Sequence, residues 1–157
     1  MKVYIGADHA GFKLKEALIP FVESLGHEVV DKGAYEYNAE DDYPDFVIPV
    51  AREVAAQKET RGIIIGGSGQ GEAIAANRLK GVRAVVFNGQ YASNDGRDIP
   101  HEIKISREHN DSNILSLGAR FLNESEAEDA VKKWLETAFS GDERHVRRLK
   151  KIEEMTE

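Results

Sequence analysis

Positions 66–78 read GGSGQGEAIAANR and directly follow the apolar run Gly62-Ile63-Ile64-Ile65. A glycine-rich turn between a strand and a helix is the usual form of a phosphate cradle, because its bare backbone N–H groups point at an anion. This turn departs from the familiar fingerprints. A Walker loop ends in Gly-Lys-Ser/Thr, whereas Gly71-Glu72-Ala73 stands here, and Gly67, Gly69 and Gly71 do not keep the dinucleotide spacing. A phosphate beside Glu72 would be repelled by ~4 kcal/mol for unit charges ~4 Å apart at an effective dielectric of about 20.

The objection disappears if the anion is transient. When a carboxylate removes a proton from carbon next to a carbonyl, its own charge vanishes as the enolate oxygen acquires one. Amides preorganised toward that oxygen then stabilise the intermediate, as an oxyanion hole does. On this reading Glu72 is a carbon-acid base. An acidic side chain also suits a helix N-terminus through the dipole, and spacing alone leaves both roles open. The protonation of Glu72 is open too, since the dipole favours the anion and burial the acid.

Two further constellations carry chemistry. GADHAG at 6–11 places Asp8 and His9 just past the first strand, where they could hold hydroxyls and move protons; Asp8 as an N-cap beside a surface histidine is the competing reading. SREHNDSN at 106–113 sets His109 beside Asn110, or forms a polar turn. Arg120 follows the fifth strand, and Arg144 and Arg148 share one helix face, where planar guanidinium forks suit a phosphate dianion. A solvated charged helix with Glu143 and Glu153 as partners is the alternative. The five histidines show no H-x-x-x-H or carboxylate-spaced pair, so no metal is assigned.

These groups must be positioned by alternating strands and helices. Strands are predicted at 2–7, 28–31, 62–66, 83–88 and 113–118. Their valine and isoleucine content suits a parallel sheet buried on both faces. Helical periodicity links Leu14, Leu18, Phe21, Val22 and Leu25, then Val47, Val50 and Val54, then Ala127, Val131, Trp134 and Leu135, and Gly26 closes the first helix. Ligands of such sheets bind at the carboxyl ends of strands, which puts 6–11, 66–72 and the residues after 88 on one rim. A last helix at about 142–155 has only Val146, Leu149 and Ile152 as an apolar stripe, and is expected to lie against a second subunit.

Composition bounds the rest. A chain of 157 residues with 41% hydrophobic and 31% charged content fits one domain, here 1–157. The absence of cysteine excludes a thiol nucleophile and a disulfide scaffold. The net charge of −7 argues against nucleic acid or membrane as the main partner, although ERHVRRLKK at 143–151 is locally basic. With no signal peptide or membrane-length apolar run, the expected location is the cytoplasm.

Together the motifs IGADHAGFKLKE (5–16), DDYPDF (41–46), GGSGQGEAIAANR (66–78), REHNDSN (107–113), LGAR (117–120) and ERHVRR (143–148) resemble the type B ribose-5-phosphate isomerases and the related galactose-6-phosphate isomerase subunits. The resemblance implies a three-layer α/β/α Rossmann-like fold with a five-stranded parallel sheet. It implies a cofactor-free aldose–ketose isomerase that binds a small sugar phosphate, working as a homodimer with shared active sites. Whether dimers pair into tetramers is left open.

By the same resemblance, Asp8 and His9 meet the sugar near its ring oxygen and phosphate, and His109 opens the furanose ring. Tyr43, Asn77 and Asn110 line the substrate. Gly67, Ser68, Gly69 and Gly71 form the enediolate loop, and the Ser68 hydroxyl aids proton traffic. Arg120, Arg144 and Arg148 bind phosphate, the last two reaching into the neighbouring subunit. Many members carry a cysteine base where this chain has Gly66, so it resembles the subgroup whose base is a glutamate just after the loop. The stretch at about 89–105 is longer than the family pattern, with turn signals Asn94, Gly96 and Pro100. The expected reaction is interconversion of ribose 5-phosphate and ribulose 5-phosphate through a cis-enediolate. The alternatives are a six-carbon sugar phosphate isomerase, for galactose or allose 6-phosphate, and a non-catalytic sugar-phosphate-binding protein.

Overall fold

In a computed structural model that describes residues 1–98 and 101–156, the chain runs β1 (Lys2–Ala7), α1 (Phe12–Ser24), β2 (Glu28–Asp31), α2 (Pro44–Ala56), β3 (Arg61–Gly66), α3 (Gln70–Ala76), β4 (Ala84–Phe87), α4 (Glu102–Glu108), β5 (Ile114–Gly118), α5 (Glu124–Glu136) and α6 (Glu143–Met155). All strand pairings are parallel, in the order β2-β1-β3-β5-β4.

Period-two alternation on the central strands feeds two cores. Val3, Ile5, Ala7, Ile63 and Ile65 face Leu14, Leu18 and Val22 of α1 and Val131 and Trp134 of α5. Tyr4, Ile64 and Ile114 face Val47, Val50 and Val54 of α2 and Ala76 of α3. The three-layer expectation holds, and the continuous apolar runs are what a sheet covered on both sides requires. Gly26, at φ +86, donates its N–H to the Glu23 carbonyl and ends α1.

The chain passes from β1 to β2 on one side and then places β3 on the other side of β1. Strand order therefore reverses between β1 and β3, which opens a crevice at their carboxyl ends. The loops carrying Asp8 and Glu72 both leave the sheet there.

Three departures from the sequence expectation have local causes. Strands β4 and β5 each begin one residue later than predicted, because the Arg83 amide donates to the Asn113 side chain at 2.7 Å. Helix α4 occupies 102–108, so the last part of the predicted long turn is helical, with Ile103 buried in the core. Within the turn region Gly96 takes φ +75, and Pro100 lies outside the described residues. Helix α6 buries only His145, leaving Val146 and Ile152 exposed. Among the described residues no helix is long and apolar enough to cross a membrane.

Candidate active site

The turn after β1 is packed tightly onto β3. A Cβ at Gly11 would come within 2.5 Å of the Ile65 carbonyl oxygen, so only glycine lets α1 start there. Asp8 Oδ1 accepts from the amides of Ala10 (3.0 Å) and Gly11 (3.2 Å). The buried Asp8 is not the N-cap of α1, which is Gly11 with no side-chain cap; it braces the turn before the helix, and the same bonds hold it at the rim. His9 is held by Asp41: its backbone N–H (2.9 Å) and Nδ1 (2.7 Å) both meet Asp41 Oδ1. That bond, against the cost of partial burial, raises the His9 pKa, with Asp8 assisting and Arg120 opposing.

The loop after β3 is tied from behind. The Asn88 side chain donates to the Ser68 carbonyl at 2.9 Å, and Ser116 Oγ to the Gly69 carbonyl at 2.7 Å. A planar trans peptide points the following N–H opposite to each carbonyl, so the Gly69 amide is turned away from Asn88. Gly69 takes φ +74, the left-handed turn that releases the chain into α3.

The other loop glycines answer to side chains rather than to an anion. A Cβ at Gly66 would lie 1.6 Å from Glu72 Oε1 and 2.2 Å from its carboxyl carbon. At Gly67 it would stand 3.1 Å from the Arg120 guanidinium carbon, and at Gly71 3.0 Å from the Tyr43 ring. The Glu72 carboxylate thus fills the space a side chain at 66 would need. Glu72 is 4% exposed, and burial raises its pKa, aided by the charge of Asp8 and opposed by a hydrogen bond from its own backbone. Burial outweighs the helix end here, and a carboxyl so shifted is better matched to taking a proton from carbon near neutral pH.

Asp8, His9, Tyr43, Gly67, Ser68, Gly71, Glu72 and Arg120 line one cavity of about 310 Å³, completed by Ala10 and Phe121. Asp8, His9 and Asp41 bring ligand-type atoms within 4.8 Å of one another, but His9 Nδ1 is engaged by Asp41 and Asp8 Oδ1 by two amides. His9 and Asp41 thus form a hydrogen-bonded acid–base pair, and Asp8 acts on His9 through its charge. A larger hollow of about 770 Å³ at the opposite ends of the strands holds Arg61, Arg83 and Arg107. Arg83 and Arg107 grip the two oxygens of Asp111 at 2.8 Å each, and Arg61 bonds the Thr60 carbonyl. Of the carboxylates at its wall, Asp111 is engaged by both arginines and Glu153 lies 3.9 Å from Arg83, so chemistry rather than volume marks the site.

The remaining predicted residues do not reach this cavity within one chain. Asn77 spends its amide on Ala84, accepting at 2.8 Å and donating at 3.0 Å, which fastens the end of α3 to β4. Gly69 lies behind the loop. His109 and Asn110 precede β5, at the amino ends of the strands, so a strand length on the order of 15 Å separates them from the Glu72 rim. There the His109 ring lies 4.3 Å from that of His145, and Arg144 and Arg148 act on His145 through their charges. His145 is buried, its Nδ1 lies 3.0 Å from Ser140 Oγ, and its pKa is lowered by burial first and then by His109 and Arg144. Apart from Gly69 and Asn77, the predicted residues thus fall into two groups at opposite ends of the strands.

Sequence reasoning did not single out Asp41, Asn88, Ser116 or Phe121. Asp41 falls inside the DDYPDF stretch, but one acid before a helix carries no chemical signature. Asn88 and Ser116 act only through loop carbonyls that folding brings to them.

Comparison with known proteins fits this geometry. The family described as Ribose/Galactose Isomerase matches residues 3–152. Ribose-5-phosphate isomerase B of Mycobacterium tuberculosis is 40% identical over 150 residues, covering 95% of this chain and 86% of that protein. The solved Clostridium thermocellum ribose-5-phosphate isomerase B superposes with TM-score 0.86 at 42% identity, over 99% of this chain and 97% of that one. The Mycoplasma genitalium enzyme, solved with bound ribulose-5-phosphate, gives TM-score 0.87 at 34% identity, over 99% and 95%. With the match running almost end to end, and with a buried acid and a glycine loop at the switch point between β1 and β3, the chain belongs to the ribose/galactose isomerase family.

Proposed function

We propose that this protein interconverts ribose 5-phosphate and ribulose 5-phosphate through a cis-enediolate, with Glu72 as the base. The observation that carries the reading is the Glu72 carboxylate, buried against Gly66 beside the glycine loop. Relatives named ribose-5-phosphate isomerase B, and the ribulose-5-phosphate in the Mycoplasma genitalium structure, support the substrate.

In the forward direction Glu72 takes the C2 proton of the open-chain aldose, and the carbonyl oxygen O1 gains the charge the carboxylate loses. The loop amides stabilise that oxygen. A proton passes from the O2 hydroxyl to O1, with the Ser68 hydroxyl as relay, and Glu72 returns its proton to C1, leaving the C2 ketone. C1 is reduced to the alcohol level as C2 is oxidised to the ketone, so electrons and protons balance within the substrate and no external electron carrier is required. Arg120 supplies one phosphate contact from the same rim.

The second group of residues completes the site only from another copy of the chain. A twofold dimer that sets the His109–Arg144–Arg148 edge of one copy on the Glu72 rim of the other supplies ring opening and two more phosphate ligands. The exposed Val146 and Ile152 of α6 fit such a contact. Turnover of a panel of five- and six-carbon aldose phosphates tests the reading. Ribose 5-phosphate is expected to give the highest kcat/KM, preference for galactose or allose 6-phosphate would reassign the substrate, and binding without turnover would refute catalysis.

A further inference from the structure

Asp41 lies 32 residues from His9 in sequence, yet both hydrogen bonds that hold the histidine end on one of its oxygens. The backbone N–H fixes where the ring starts, and the Nδ1–H···Oδ1 bond of 2.7 Å fixes how it turns. With Nδ1 committed, Nε2 is the nitrogen left for a ligand in the cavity that His9 lines. The Asp41 side chain is 8% exposed, and its Oδ2 is buried with no hydrogen-bond partner among the described residues. A buried carboxylate so poorly satisfied gains most from a cation at its other oxygen.

We infer that Asp41 is a positioning residue that orients His9 and holds it as an imidazolium, making His9 a second cation beside Arg120 for the phosphate of the substrate. This deepens the proposed function and rests on its placement of His9 at the substrate. The groups facing His9 are Asp41 and Asp8, whose charges favour the imidazolium, Arg120, whose charge opposes it, and the edge of the Tyr37 ring at 6.5 Å between centroids. Glu72 and Tyr43 share the cavity wall with it. Asp41 makes the largest contribution in favour, consistent with its short bond.

The direction of the effect follows from the sign. A histidine whose pKa is raised keeps its charge to higher pH than an ordinary one, so phosphate sees two cations through neutrality. Removing the Asp41 charge while keeping its shape takes away the largest contribution that raises the His9 pKa and leaves only Asp8 to oppose partial burial and Arg120, which both lower it. Asp41→Asn can still accept from the His9 amide, so the turn retains its anchor.

The test follows the C2–H resonance of His9 by NMR against pH in wild type and Asp41→Asn, assigned by its loss in His9→Ala. In parallel, KM for ribose 5-phosphate is measured across the neutral range. The His9 midpoint is expected at lower pH in Asp41→Asn, with KM raised about tenfold above that midpoint, as for loss of one charge-assisted contact. The effect falls on KM rather than kcat, and the gap closes as pH falls. The ratio of the two KM values cancels the substrate's own phosphate ionisation. An unmoved His9 midpoint, or a KM raised by the same factor at every pH, overturns the inference. An unchanged KM in His9→Ala would instead overturn the placement of His9 at the substrate. Absence of ribose 5-phosphate turnover in wild type would overturn the proposed function, with the NMR titration still deciding Asp41.

Discussion

Replacing Gly66 by alanine tests whether Glu72 acts from where it lies. The added Cβ would sit 1.6 Å from Oε1, and Cβ contacts under 3.0 Å essentially never occur, so the oxygen must retreat by about 1.4 Å. The backbone cannot yield easily, because β3 pairs on both sides, with Ala7 opposite Ile65 and Gly118 opposite Gly66. Misplacing a reacting group by about 1 Å can cost about 100-fold in rate, near 2.7 kcal/mol of barrier. Gly66→Ala is therefore expected to lower kcat about 100-fold or more while KM changes little, since the phosphate ligands are untouched. Overpacking adds about 1–3 kcal/mol of destabilisation, visible in urea unfolding. The assay is exchange of the C2 proton in deuterated water, run beside Glu72→Gln, which is expected to abolish exchange while leaving phosphate binding nearly intact. Wild-type exchange in folded Gly66→Ala would refute the idea that the carboxylate reacts from this pocket.

Two further outcomes follow from the same geometry. Because burial raises the Glu72 pKa, the native state holds that proton more tightly than the unfolded chain, and stability falls as pH rises through the interval between the two values. Glu72→Gln lacks this titration, so its Tm is expected to exceed wild type at neutral pH and to converge with it below the ordinary carboxylate range; the opposite order would contradict burial as the cause. Glu72→Gln and His109→Ala homodimers are each expected to be nearly inactive, yet mixing and re-equilibrating their subunits should restore about a quarter of wild-type activity, since half the dimers gain one intact site. No recovery, with heterodimers verified by mass, would place both residues in one chain's site.

Much of the fold was legible because burial on both faces leaves a simple mark. Runs such as Ile63-Ile64-Ile65 serve two cores at once, so every position is apolar, and the five strands were located to within a residue. Helix α4 escaped notice because only Ile103, Ser106 and Arg107 of its seven residues are buried, too short a stretch to show a period. In the site, Glu72, Asp8, His9 and Arg120 were legible as chemistry next to strand ends. Asn77 was not readable as a staple between α3 and β4, since its partner is a backbone seven residues away whose position depends on the sheet. Asp41 was opaque for the same reason at longer range.

What the amino-acid sequence by itself determined was local: the alternation of elements, the glycines that permit a tight turn, and the presence of an acid where a phosphate loop would carry a lysine. These depend on backbone sterics and on neighbours a few residues apart. Only the tertiary structure decided which glycine serves which side chain, with Gly66 yielding to Glu72, Gly67 to Arg120 and Gly71 to Tyr43. Only it set His9 on Asp41, raised the Glu72 pKa by burial, and sent His109, Arg144 and Arg148 to the far ends of the strands. Each of these outcomes turns on distances between residues far apart in the chain and on how much water is left between them. Those quantities do not exist until the sheet has closed its two cores.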